Sequence, residues 1–281
     1  MVRNHVSKNY SWAFNTETGM FIRKGRTVNE DPKFSPRGPE IADIEVSTVC
    51  HGPVNEGSSP CPWCYKSNTD QGRNMSLETF QTVIKNINSE NNLTQVALGI
   101  GDIDGNPDLF DMMRFCRMCN IIPNITINGA RLSNEIVFNL QNLCGGISVS
   151  HYDDDLCFTA IERLQKNKPE NLQINIHKIL SEETFDECIR LKKVISETPS
   201  LSSVAIIFLM LKPVGERNTL TCIRDMGRFE ELYIRCPEVQ IGFDSCSAPI
   251  SYHYSKSERE YMYIEPCEST LFSCYINVDG I

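Results

Sequence analysis

The chain has 281 residues, 41% of them hydrophobic, and a formal net charge of -9, so it can bury a large core and offers nucleic acid no broad basic face. Its longest apolar run, 204–211, is far short of the roughly 20 residues that span a bilayer, and its first residues lack the apolar stretch of a secretory signal. Membrane insertion is not expected and a cytoplasmic address is, where the 13 cysteines stay reduced and serve as core residues or metal ligands rather than as bridges.

Residues 1–40, with Pro32, Pro36 and Pro39 late in the stretch, read as an N-terminal extension. From residue 41 onward, β-rich runs at 41–49, 94–101, 124–128, 146–150, 172–180 and 203–211 alternate with amphipathic stretches. One helix is expected at Leu77, Phe80, Val83 and Ile84 behind an N-cap at Ser76, and another at Phe185, Cys188 and Ile195, starting from Ser181. A further helix is expected over 216–235 and a short strand over 239–243. Strand-helix alternation implies parallel pairing, because right-handed crossovers place helices outside a parallel sheet. The fold class is therefore α/β: a partial (β/α)6 barrel over 41–236, with its chemistry at the strands' C-terminal ends. Residues 237–281, weak in strand signals and bearing cysteines, read as a C-terminal extension.

A loop rich in Gly, Pro and Ser follows the first of these runs and begins and ends with thiols, Cys50 and then Cys61-Pro62-Trp63-Cys64. The Cys-x-x-Cys spacing lets two thiolates face one centre, and the ten-residue connection can bring Cys50 round to them. Three thiolates on a four-iron cluster leave one iron open to a substrate or cofactor. A structural zinc with His51 as fourth ligand uses the same residues. Other strand ends carry glycines and polar groups: Gly99, Gly101 and Asp102, then Asn128-Gly129, then Ser148 and Ser150 before His151. Recurrence of such groups at one end of successive strands is what a shared cofactor site requires, and Asp102 is suited to a cationic amino group.

In order along the chain, CPWCY, ALGIGDIDGNPDL (97–109) and ITINGARL resemble the cysteine motif, the Gly-Gly-Glu segment and the Thr-Asn-Gly strand of the radical S-adenosylmethionine superfamily. The resemblance implies that Cys50, Cys61 and Cys64 hold a 4Fe-4S cluster and that Trp63 lies beside the adenine of S-adenosylmethionine. It implies that Gly99, Gly101 and Asp102 contact the methionine amino group, and that Ser150 and Ser148 face the ribose. The implied activity is reductive cleavage of the cofactor to a 5'-deoxyadenosyl radical that abstracts hydrogen from a substrate, with an electron donor as partner. The sequence departs from the pattern in the ten residues between its first two cysteines, in Asp102 for the usual Glu, and in Ile127 within the Thr-Asn-Gly strand.

The tail resembles the SPASM/twitch extension of peptide-modifying members, which makes Cys246, Cys267 and Cys274 candidate auxiliary ligands and a peptide or protein side chain the implied substrate. A full second cluster is not expected, because no strand is foreseen to pin Cys274. Cys116, Cys119, Cys144, Cys157, Cys188, Cys222 and Cys236 read as small hydrophobes, whereas His151, just past a strand end, is a candidate contact to cofactor or substrate. The competing function is a zinc-stabilised, non-catalytic binding module on a degenerate barrel.

Overall fold

Short β-branched runs separated by amphipathic helices bury one sheet face under the helices and leave the other free to line a cavity. The computed structural model, which describes residues 1–53, 61, 63–254, 264 and 266–281, realises this pattern. Three antiparallel strands come first: β1 (Val2–His5), β2 (Ser11–Asn15) and β3 (Phe21–Lys24). The main body then runs β4 (Ile41–Glu45), α1 (Leu77–Ile87), β5 (Gln95–Gly99), α2 (Leu109–Met118), β6 (Ile122–Ile127), α3 (Asn134–Leu143) and β7 (Gly146–Ser150). It continues through α4 (Asp154–Gln165), β8 (Gln173–Leu180), α5 (Phe185–Glu197), β9 (Ala205–Met210), α6 (Met226–Ile234), β10 (Ile241–Phe243), α7 (Ala248–Tyr254) and β11 (Ser273–Ile276).

The main sheet has eight strands in the order β10-β9-β8-β7-β6-β5-β4-β11, and every neighbouring pair is parallel. Its two edge strands, β10 and β11, are not bonded to each other, so the barrel is open. All six expected runs are strands. Along β8 the burial alternates strictly: Ile174, Ile176, Lys178 and Leu180 are buried under the helices, while Asn175, His177 and Ile179 face the concave side. The same parity puts Asp43, Thr126, Ser148 and Ser150 on the concave face. Among the described residues no helix is long and apolar enough to cross a membrane.

Ser76 caps α1 as expected, its hydroxyl accepting from the Thr79 N–H at 3.1 Å. Elsewhere the expectations need correction. The helix foreseen from Ser181 starts at Phe185, because Ser181 and Thr184 bond to each other and Glu183 is drawn off to accept from the Thr221 N–H. The helix foreseen over 216–235 begins only at Met226, since residues 215–218 bond to the cysteine loop and to one another instead. The tail does not fray. Its β11 pairs with β4, setting Cys274 opposite Ala42 and adding a strand that the sequence pattern did not signal.

The N-terminal strands form a small core of their own from Tyr10, Trp12 and Phe14 against Ile122 and Phe272. The fully buried Asn92 ties this core to the barrel: its carbonyl oxygen accepts from Trp12 Nε1 at 2.8 Å, and its amide donates to the Gly38 carbonyl at 2.9 Å and the Tyr10 hydroxyl at 3.0 Å. Asn92→Ala strands these partners and is expected to lower stability by roughly 1–3 kcal/mol. Chemical denaturation reads this cost, and an unchanged midpoint would mean that apolar contacts alone dock the N-terminal sheet.

Candidate active site

The cysteine loop stands on two feet. At the first, Cys50 donates its N–H to the Thr69 carbonyl at 2.8 Å, and Asp102 donates its N–H to the Val49 carbonyl at 3.1 Å. The chains pass so closely here that a Cβ on Gly101 would stand 2.2 Å from the Val49 oxygen and 2.6 Å from the Cys50 Cβ. Only glycine fits that approach. The Asp102 side chain, 1% exposed, holds the same foot: its Oδ2 accepts from the His51 backbone N–H at 2.8 Å and meets His51 Nδ1 at 2.6 Å. The same oxygen pairs with Arg131 Nη1 at 2.6 Å, and Oδ1 accepts from Asn128 Nδ2 at 3.3 Å.

At the second foot, Cys61 and Cys64 share a turn in which the Cys64 N–H donates to the Cys61 carbonyl at 3.2 Å. The segment after β9 packs onto it. Gly215, at φ +104°, lies so near that a Cβ would sit 2.6 Å from the Cys64 oxygen, the Glu216 N–H donates to Ser67 Oγ at 3.0 Å, and Arg217 Nη2 donates to the Asn68 carbonyl at 2.7 Å. Residues 54–60 and 62, which join the feet, lie outside the described residues.

The three thiols share one neighbourhood. Burial chiefly pushes the Cys50 thiol up to about 11, with the charges of Asp102, Cys61 and Cys64 adding to the effect. Burial likewise raises Cys61, while the Tyr152 hydroxyl beside its sulfur opposes the rise. Tyr152 also stacks on Trp63, with ring centroids 6.1 Å apart, and its hydroxyl reaches Ser150. Among the described residues, no three Cys, His, Asp or Glu side chains are grouped to hold a single metal ion. The donor set, three soft sulfurs, is nonetheless chemically matched to iron-sulfur ligation.

Of the other expected site residues, Gly99 lies exposed at the end of β5, and Ser148 and Ser150 face the concave side of β7. His177 joins them from β8, its ring near the Thr126 hydroxyl at 3.3 Å, and burial lowers it to about 4, so it is neutral at pH 7. His151 is on the other face. Its ring has no exposed surface and lies between Asp154 at 2.9 Å and Lys178 at 3.1 Å, so it is part of the packing behind β7 rather than a contact to cofactor or substrate. Cys116, Cys144, Cys157 and Cys188 are buried as the core reading expects.

The tail cysteines divide. Cys246 and Cys267 are exposed and near enough for the charge of one to oppose ionisation of the other, whereas Cys274 sits half-buried on β11 beside Asp43. Residues 255–263 and 265, between the first two, lie outside the described residues. Three groups near the site escaped the sequence reading: Tyr152, Arg131 and the 215–217 segment. Only Tyr152 had a local signal, an aromatic residue two positions beyond a strand of the proposed site.

No family model and no curated protein matches the chain. Among solved structures, SuiB of Streptococcus suis bound to S-adenosylmethionine superposes with a TM-score of 0.66 at 14% identity, over 99% of this chain and 80% of SuiB. SuiB bound to its precursor peptide SuiA gives a TM-score of 0.67 at 12% identity, with the same coverage. The fold is that of SuiB. A second such structure, anSMEcpe with bound AdoMet, gives a TM-score of 0.53 at 13% identity, over 78% of this chain and 68% of its own. On this fold the cysteine loop follows β4, the first strand of the parallel sheet, and the Gly99–Asp102 turn follows the next.

The Asp102 contacts make the carboxylate a fastening of the cysteine loop. Asp102→Ala is therefore expected to free the His51 N–H, whose charge-assisted bond is worth roughly 1.5–3 kcal/mol, and to speed its hydrogen exchange about tenfold or more. Mass-spectrometric exchange on the peptide spanning 46–53 reads this, and an unchanged rate would contradict the fastening role.

Proposed function

We propose that the protein is a radical S-adenosylmethionine enzyme acting on a peptide or protein side chain, with Cys50, Cys61 and Cys64 as the ligands of a 4Fe-4S cluster. The observation that carries this reading is the superposition of 99% of the chain on SuiB bound to S-adenosylmethionine, with the three thiols in one loop at the sheet's C-terminal edge. When bound, such a cluster in its reduced form supplies the electron that cleaves S-adenosylmethionine, and the resulting 5'-deoxyadenosyl radical removes hydrogen from substrate. The chain's own residues position and shield. Asp102 and Gly101 seat Cys50, the 215–217 segment seats Cys64, and Trp63 stacked on Tyr152 gives an aromatic wall for the adenine. Ser148 and Ser150 offer hydroxyls to the ribose from the concave face.

Both similar proteins have been solved with a peptide in place, SuiB with its precursor SuiA and anSMEcpe with the Cp18Cys peptide, and this supports a peptide as substrate here. An external electron donor is part of the proposal. Cys246 and Cys267 remain proposed auxiliary ligands, with Cys274 set apart from them on β11. One observation favours the zinc reading instead: His51 Nδ1 faces the buried Asp102 carboxylate, which is how an outer carboxylate orients a zinc-binding histidine.

Anaerobic reconstitution with iron and sulfide in the presence of zinc separates the two. The expected result is about four irons per chain and a broad absorbance near 400 nm, falling by more than half in each of Cys50→Ala, Cys61→Ala and Cys64→Ala. Stoichiometric zinc that is lost in a His51→Ala variant would overturn the proposal in favour of a zinc-stabilised module.

A further inference from the structure

The segment after β9 brings a cation to the cysteine loop. Arg217 is half-buried, and its Nη2 donates to the carbonyl of Asn68, just beyond Cys64, at 2.7 Å. Its Nε is buried and makes no hydrogen bond among the described residues, and neither does the buried Asn68 Oδ1. Arg23, Arg131 and Arg228, which also fasten distant segments, each meet a carboxylate at 2.6–2.8 Å, whereas Arg217 meets none among the described residues. Withdrawing a charge from water without a counter-ion is costly, so this position calls for an anion that the described side chains do not supply.

Other charges described near the loop are matched. Asp102 pairs with Arg131 at 2.6 Å and Glu45 with Lys66 at 3.4 Å, while Lys212 lies 4.8 Å over the Tyr65 ring with its charge acting on Asp43 and Asp244. Arg217 is left over, and the thiol it acts on is Cys61. Burial raises that thiol, and the Tyr152 hydroxyl and the Arg217 charge oppose the rise, so a donor and a cation converge on one sulfur. Three thiolates outweigh the positive charge of a four-iron core, so a bound cluster is an anion and its reduction adds a further negative charge. A cation close by, in surroundings of low dielectric, stabilises the reduced form more than the oxidised one. We propose that Arg217 is the counter-cation of the cluster, set beside Cys61 by the Asn68 carbonyl, and that it raises the cluster's reduction potential. This rests on the cluster reading above and gives the 215–217 segment an electrostatic role besides its hold on Cys64.

The test is an anaerobic redox titration of the full chain, reconstituted with iron and sulfide and followed by electron paramagnetic resonance of the reduced cluster. No S-adenosylmethionine is added, so a contact to the cofactor cannot contribute. Arg217→Gln is expected to keep the wild-type iron content and to shift the oxidised-to-reduced ratio at a fixed potential roughly 3- to 10-fold toward oxidised, a midpoint up to about 59 mV more negative for a one-electron couple. Arg217→Lys, which keeps the charge without the fork, is expected to recover most of that shift. Lys193→Gln, which removes an exposed charge on α5, is expected to leave the midpoint in place. An unmoved midpoint in Arg217→Gln, an equal shift in Arg217→Lys or in Lys193→Gln, or an Arg217→Gln chain that no longer holds its cluster overturns the role of Arg217 and leaves the cluster reading standing. A wild-type chain that takes up no iron-sulfur cluster overturns that reading and the inference with it.

Discussion

A loop that carries three thiols has to be anchored at both ends, and the site depends on that constraint. One anchor is the close approach of Gly101 to Val49 and Cys50, reinforced by the buried Asp102 carboxylate. The other is the segment after β9, which packs Gly215 against the Cys64 carbonyl. The anchors come from opposite sides of the sheet, β5 next to β4 and β9 four strands beyond β5 in the sheet order. The described ends of the loop, at Cys50 and at Cys64, are thus held by segments that follow β5 and β9.

Electrostatics runs in the same direction. Burial pushes the Cys50 thiol up to about 11 and raises Cys61, and the nearby negative charges add to the rise. Such a set of sulfurs binds a cationic centre with release of protons, so the proposed cluster and the folded loop would stabilise one another. The ion pairs behind β7, where the buried Lys178 meets Glu187 at 2.7 Å and the part-exposed Arg190 pairs with Asp154 at 2.8 Å, belong to a different layer. They cross-link α4, α5 and β8 and take no part in the site.

What was legible in the sequence was what is written locally. Runs of β-branched residues marked six of the eight barrel strands and the short run over 239–243 a seventh, β10, while Ser76 marked a helix start and Cys-x-x-Cys after the first run marked the loop. The strand β11 was not legible because four residues, SCYI, carry too little pattern, and it is recruited by the unpaired edge of β4. Contacts between distant segments were equally silent: Glu216 reaches Ser67 across 149 positions, and nothing in either neighbourhood announces it. The part of the expected helix over 216–225 was lost to the same contacts, a case of tertiary bonding overriding a periodic pattern. His151 is a different kind of miss. Strand alternation alone puts it on the face of Val149 and opposite Ser150, so the parity of β7 already argued against a cofactor contact.

The proposed chemistry is reductive cleavage of S-adenosylmethionine. The most direct measurement is a single-turnover experiment in which the reconstituted chain, reduced with dithionite under anaerobic conditions, is mixed with S-adenosylmethionine and the products are quantified by mass spectrometry. The account predicts 5'-deoxyadenosine and methionine in equal amounts, approaching one of each per cluster. Intact S-adenosylmethionine in the presence of a fully reduced cluster would contradict it.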